Sequence, residues 1–190
     1  YSKIKWHGRT VLSSLVGFGY RTMRVTSLIF ALSSQLFAHE IPAKVTVQAF
    51  VKPEDGRLRM LVRVPLEAMT DLEFPRRGPG YLDIGRADQA LKDAATVYVA
   101  HSLEIYEEGT RLVNGRIVAV RVSLPSNRSF SNYEQALAHV TGVPLPDQTQ
   151  LYWAQGMLDV LFDFPTESKD SNFSINPSWE RLGFETRTVL

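Results

Sequence analysis

The sequence predicts a mainly β fold with inserted helices: an α+β, antiparallel β-sandwich of the immunoglobulin-like kind, with two helices placed in its connections. Three observations predict it. Apolar residues alternate with polar ones in several segments after Ala38, an Asp-Gly pair joins the first two such segments, and two stretches repeat at three- and four-residue spacing instead. Alternation on one side only requires a second layer over the apolar face. A second sheet supplies that layer in a sandwich.

The elements follow in chain order. Val45, Val47, Ala49 and Val51 share one face, with Lys44, Thr46 and Gln48 opposite. The turn Lys52-Pro53-Glu54-Asp55-Gly56 then leads to Leu58, Met60, Val62 and Val64 on one face and Arg57, Arg59 and Arg63 on the other. Asp-Gly between alternating segments is a strong hairpin signal. The segment Glu73–Tyr81, with Gly78-Pro79-Gly80, is predicted as a long irregular connection. From Arg86 to about Leu103, the residues Ala87, Ala90, Leu91, Ala94, Val97, Tyr98 and His101 recur with helical period. A short strand through Leu103 and Ile105 and a Tyr106-Glu107-Glu108 turn come next. Val118, Val120, Val122 and Leu124 alternate as a strand, and Ser131-Asn-Tyr-Glu134 is a capping box for a short helix ending at Gly142. Leu158, Val160, Phe162 and Phe164 alternate again, with Asp159 and Asp163 on the outward face. Weaker strands run through Phe173 and Ile175, and from Phe184 to Leu190.

Charge divides the chain unevenly. Five of its 21 basic residues lie in residues 1–38, where there is no acid, which leaves 16 basic groups against 20 acidic ones, a net of −4. A basic leader before a mildly acidic body does not suit a nucleic-acid binder, so none is expected as a partner. It suits export. From Met23, a short basic start is followed by an apolar stretch from Val25 to Phe37 and by the small residue Ala38. That order is the pattern of a secretory signal, and the stretch is shorter than the roughly 20 residues that span a bilayer. Residues 1–38 are therefore read as a leader with its start expected at Met23, and 39–190 as an extracytoplasmic domain. No cysteine occurs. Disulfides, thiolate metal sites and cysteine nucleophiles are thereby excluded.

Candidate chemistry is sparse. His39 would become the first residue after cleavage, and a free N-terminal histidine can chelate copper through its amine and a ring nitrogen. It is the metal candidate of this sequence, and a free periplasmic copper-binding module is the alternative function. His101 and His139 are read as residues at helix ends, where a protonated ring complements the helix dipole. Asp159 and Asp163 stand four residues apart on one strand, roughly 13 Å between α-carbons, too far for a tight dyad. Glu107 and Glu108 are read as solvated turn residues, and Arg76-Arg77 as solvent-facing loop cations beside the Gly-Pro-Gly turn rather than as a site for a carboxylate, a phosphate or a lipid headgroup. Asn127-Arg-Ser129 and Asn172-Phe-Ser174 fit glycosylation sequons and are read as plain loop positions. Gly-x-Ser-x-Gly, Ser-x-x-Lys and phosphate-binding glycine loops are missing, so no enzyme and no cofactor are expected.

Five segments taken together carry a resemblance. They are Ala38-His-Glu-Ile-Pro42, Arg59-Met-Leu-Val-Arg-Val-Pro65, Phe74-Pro-Arg-Arg-Gly-Pro-Gly-Tyr-Leu-Asp83, Val120-Arg-Val-Ser-Leu-Pro125 and Thr149-Gln-Leu-Tyr-Trp-Ala-Gln-Gly-Met-Leu-Asp159. The chain resembles the N-terminal extracytoplasmic portion of bacterial HupE/UreJ-like membrane proteins, over most of residues 38–190. The resemblance implies a non-catalytic domain on the periplasmic or extracellular face of a bacterial membrane. It also implies a link to nickel or cobalt uptake. The implied partner is the protein's own C-terminal transmembrane region, expected beyond Leu190, and a metal ion. The family's transport motifs have no counterpart among these residues, so no site residue is carried over.

Overall fold

The computed structural model describes residues 44–54, 56–183 and 185–189. The leader, the cleavage site and His39 lie outside the described residues. The first hairpin forms as its pattern demands: β1 (Lys44–Glu54) pairs antiparallel with β2 (Arg57–Pro65). Its turn is tighter than the five-residue turn expected. β1 continues through Lys52-Pro53, and Gly56 takes φ 75° at the reversal, a value that glycine adopts without steric cost. Pro53 fits in β1 because the neighbouring strand on that side reaches only Lys44–Gln48, leaving Pro53 at an edge.

The connection after β2 is more ordered than its Gly-Pro composition suggests. β3 (Arg76–Arg77) and β4 (Tyr81–Leu82) form a two-stranded ribbon. Gly80 sits at φ 119°, and a β-carbon there would come within 2.5 Å of the Tyr152 ring. The predicted first helix is present over the expected span but is not uniform. It comprises α1 (Asp88–Ala94), a π-helical turn over Ala95–Val99 and a tight turn over Ala100–Ser102. The wider turn buries Tyr98 and Val99 together with Ala94 and Ala95.

β5 (Leu103–Glu107) turns through Glu108 and Gly109, at φ 47° and 80°, into β6 (Thr110–Arg111). Two successive positive φ values are the signature of a type I′ hairpin. β7 (Arg116–Ser123) contains a bulge between Ile117 and Ala119. Val118 is the extra residue, so it is 48% exposed instead of joining Val120 and Val122 in the core. α2 (Tyr133–Thr141) starts one residue later than the capping box implied: Asn132 is the cap, and its Oδ1 accepts from Gln135 N at 2.9 Å. β8 (Met157–Pro165), β9 (Phe173–Pro177) and β10 (Glu185–Val189) complete the elements.

The strands form a five-stranded sheet ordered β10-β1-β2-β8-β7, a three-stranded sheet ordered β6-β5-β9, and the β3-β4 ribbon. All pairings are antiparallel except β1 with β10, which is parallel. The fold is thus mainly β with few helices, of α+β class. The main core lies on one face of the large sheet. Val62, Val160 and Val120 form one cross-strand row there, and Met60, Phe162 and Ile117 the next. Leu91, Tyr98 and Val99 from the first helical segment, and Leu103 and Ile105 from the small sheet, close over it.

The opposite face differs from the expectation. The alternation places Arg63, Asp159 and Asp163 on the outward face, yet all three are buried. The reason is a middle row of apolar residues, Phe50, Leu61, Leu161 and Ala119, set side by side by register. α2 and the turn before it lay Phe130, Ala136 and Val140 on that row, forming a second core. On either side of the row run polar residues: Lys52, Arg59, Asp163 and Arg116 on one, and Gln48, Arg63, Asp159 and Arg121 on the other.

Candidate functional site

The second polar row supplies the most concentrated chemistry in the described residues. Arg63 and Asp159 face each other across β2 and β8. Their side chains meet in a bidentate pair, Nε to Oδ1 at 2.6 Å and Nη2 to Oδ2 at 2.7 Å. The side chains are 4% and 0% exposed. Such a planar fork is the strongest form of ion pair, and within a dry core it needs every remaining lone pair engaged.

Asp159 goes most of the way, with one donor on Oδ1 and three on Oδ2. Its Oδ2 also accepts from Ser123 Oγ at 2.8 Å and lies 3.0 Å from His139 Nε2. Ser123 comes from β7 and His139 from the last turn of α2, so three elements converge on one carboxylate. The network assigns the ring proton to Nε2. Nδ1 is then the acceptor for Asn127 Nδ2 at 3.4 Å. Asn127 in turn accepts from Ser129 N and from Arg63 through its side-chain oxygen, and from Arg63 Nη1 through its carbonyl at 2.8 Å. Arg63 further stacks over the Phe130 ring, 4.2 Å from its centroid.

Chemically this is a bracing network. Ser123 and His139 both address the same carboxylate oxygen, so the serine hydroxyl donates to Asp159 and His139 does not serve it as base. A nucleophile needs that base contact to be activated. Asp163, the other buried acid on this face of the sheet, is paired differently. Arg116 reaches its Oδ2 at 2.9 Å and Arg57 at 3.6 Å, while Oδ1 has no donor among the described residues.

The remaining candidates separate. His139 lies at the helix end as expected, but its ring faces Asp159 rather than solvent. His101 is exposed at the end of the first helical segment. No grouping of three metal-ligating side chains occurs among the described residues. Arg76 lies over the Trp153 ring at 4.6 Å, and Arg77 donates to Thr149 O at 2.8 Å. Both arginines thus hold the ribbon against the segment before β8. Asn127 and Asn172, read as plain loop positions, are structural as well.

Glu107 and Glu108 are not merely solvated. Glu107 accepts from Glu167 N and Ser168 N, each at 3.1 Å, and Glu108 accepts from Asn172 N at 2.7 Å and from its amide at 3.0 Å. Burial pushes the Glu107 carboxyl up. The Ser168 N–H, the Ser171 hydroxyl and the Glu167 N–H together outweigh it, so its pKa falls below the usual glutamate value. The Asn172 N–H, then its side-chain amide, hold Glu108 below that value too. A carboxyl with a lowered folded pKa adds stability that is complete above the unfolded value, about 4.3, and is lost as pH falls through the folded value. The advantage of the native protein over Glu107→Gln is therefore expected to be constant from neutral pH to about 5 and to vanish on further acidification. Thermal unfolding of both proteins across that range measures it; a difference that ignores pH would contradict the assignment.

Sequence reasoning missed the buried pair because it treated Arg63 and Asp159 as surface residues. The signal was present in Leu61 and Leu161, each of which interrupts an otherwise charged row. Among the described residues no helix is long and apolar enough to cross a membrane. Compared with protein-family models, curated proteins and solved structures, the chain matches none.

Proposed function

We propose that residues 39–190 are a non-catalytic extracytoplasmic domain of a HupE/UreJ-like bacterial membrane protein, linked to nickel or cobalt uptake through its own transmembrane region. The observation that carries the non-catalytic part is the convergence of Ser123, His139 and Arg63 on Asp159, which engages the most closely grouped polar side chains among the described residues in bracing. The kinship rests on the quoted segments. Four of them pack as one contiguous body: β2 and β7 flank β8, while Leu82 N donates to Leu151 O at 2.8 Å and Trp153 N to Gly80 O at 3.0 Å. The two sheets that share the main core are taken in this reading as leaves of an immunoglobulin-like sandwich.

Two measurements test the proposal. Alkaline phosphatase fused after Leu190 is active only outside the cytoplasm, so high activity in a bacterial host is expected. A cytoplasmic reporter working at that position instead would overturn the location. Cells lacking the gene are expected to accumulate less nickel or cobalt than cells carrying it, and unchanged uptake of both would remove the metal link.

A further inference from the structure

A pocket of about 380 Å³ opens beside the buried pair, lined by Gln48, Arg63, Pro125, Asn127, Arg128, Phe130, Ser131 and Met157. That volume lies within the range of small-molecule sites. Its lining contains two arginines and no carboxylate. Arg63 carries five N–H hydrogens. Nη1 holds two of them and has one acceptor, Asn127 O, so a buried guanidinium hydrogen is left without a protein partner. The Arg128 guanidinium is exposed and the Gln48 amide half-buried, and neither side chain is paired among the described residues. Pro125, Phe130 and Met157 give the same pocket an apolar wall.

We propose that this pocket binds a small organic carboxylate with an apolar body. The carboxylate is held by Arg128 and Gln48 at the rim and by the spare Arg63 hydrogen, and the apolar body rests on Met157, Phe130 and Pro125. Charge-assisted bonds from guanidinium to carboxylate are the contacts that planar anions favour. No acid lines the pocket itself, and the nearby Asp159 carboxylate is already matched by Arg63, Ser123 and His139, which leaves the exposed Arg128 as the uncompensated charge. The site stands independently of membrane kinship, since it uses only the geometry of this face.

Benzoate is the probe, with benzamide as its neutral counterpart, titrated into the ¹⁵N-labelled protein. Benzoate is expected to saturate at millimolar concentration, shifting the signals of Gln48, Asn127, Arg128 and Ser131 together. Benzamide is expected to leave them in place. Arg128→Gln, an exposed substitution that spares the Arg63–Asp159 pair, is expected to raise the benzoate dissociation constant by about tenfold with unchanged thermal stability. Equal shifts from benzamide, shifts centred elsewhere, no saturation, or an unaltered constant in Arg128→Gln would each overturn the proposal.

Discussion

Replacing Asp159 by alanine is expected to destabilise the domain by about 3–5 kcal/mol, the range for breaking a buried ion pair from one side. The cost comes from what remains. Arg63 is 4% exposed and would keep its charge in a dry site, with Nε stripped of its acceptor and Nη2 left only the neutral oxygens of Ser123, Asn127 and Ser129. Ser123 and His139 would lose their common partner in the same step. Since whole domains are stable by only about 5–15 kcal/mol, a large part of the fold's margin is at stake. Chemical denaturation of the native and Asp159→Ala proteins measures the difference. The paired substitution Arg63→Met with Asp159→Leu is expected to recover only part of the loss: it removes the uncompensated buried charge, but Ser123 and His139 still lack the carboxylate. A single variant within about 1 kcal/mol of the native protein would mean that the pair is solvated, as exposed ion pairs are.

Phe162→Ala is expected to cost a similar amount, about 3–5 kcal/mol, by a different mechanism. Phe162 is 2% exposed on the interior strand β8, set between Met60 and Ile117 in register and tilted against Phe164 at 6.3 Å between ring centroids. Alanine leaves a cavity that neighbours on two paired strands can fill only in part. For a domain of this size the loss corresponds to a fall in Tm of roughly 10 °C. Val118→Ala is the informative contrast. Val118 follows the same apolar alternation in the sequence, but the bulge in β7 turns it outward, so its truncation is expected to stay within about 0.5 kcal/mol. Differential scanning calorimetry of the two variants compares them directly; equal losses would place Val118 in the core and remove the bulge.

The contrast between Phe162 and Val118 shows what alternation can and cannot say. Period two reports that a residue belongs to one of two faces, and a single inserted residue reverses the assignment for everything before it. The polar face was misread for a related reason. Taken with their own strand alone, Arg57, Arg59 and Arg63 simply share the face opposite the apolar one. Only when register aligns Leu61 with Phe50, Leu161 and Ala119 does an apolar seat for α2 emerge, and covering that seat buries the charges beside it. Likewise Glu107 and Glu108 could be placed in a turn from composition, whereas their partners stand about 60 residues away.

What local pattern determined by itself was the set of elements: the β1–β2 hairpin, β7, β8 and β9, the helical span before Leu103 and the short α2 ended by Gly142. These depend on neighbours within a few residues, through side-chain period, turn geometry and capping. The tertiary structure alone decided which face of each strand stays wet, that Asp159 draws together Arg63, Ser123 and His139, and that a pocket without acids opens beside them. Those outcomes rest on contacts between residues 20 to 96 positions apart. Burial converts such contacts into energy, because a charge removed from water is tolerable only where distant parts of the chain bring its partners to it.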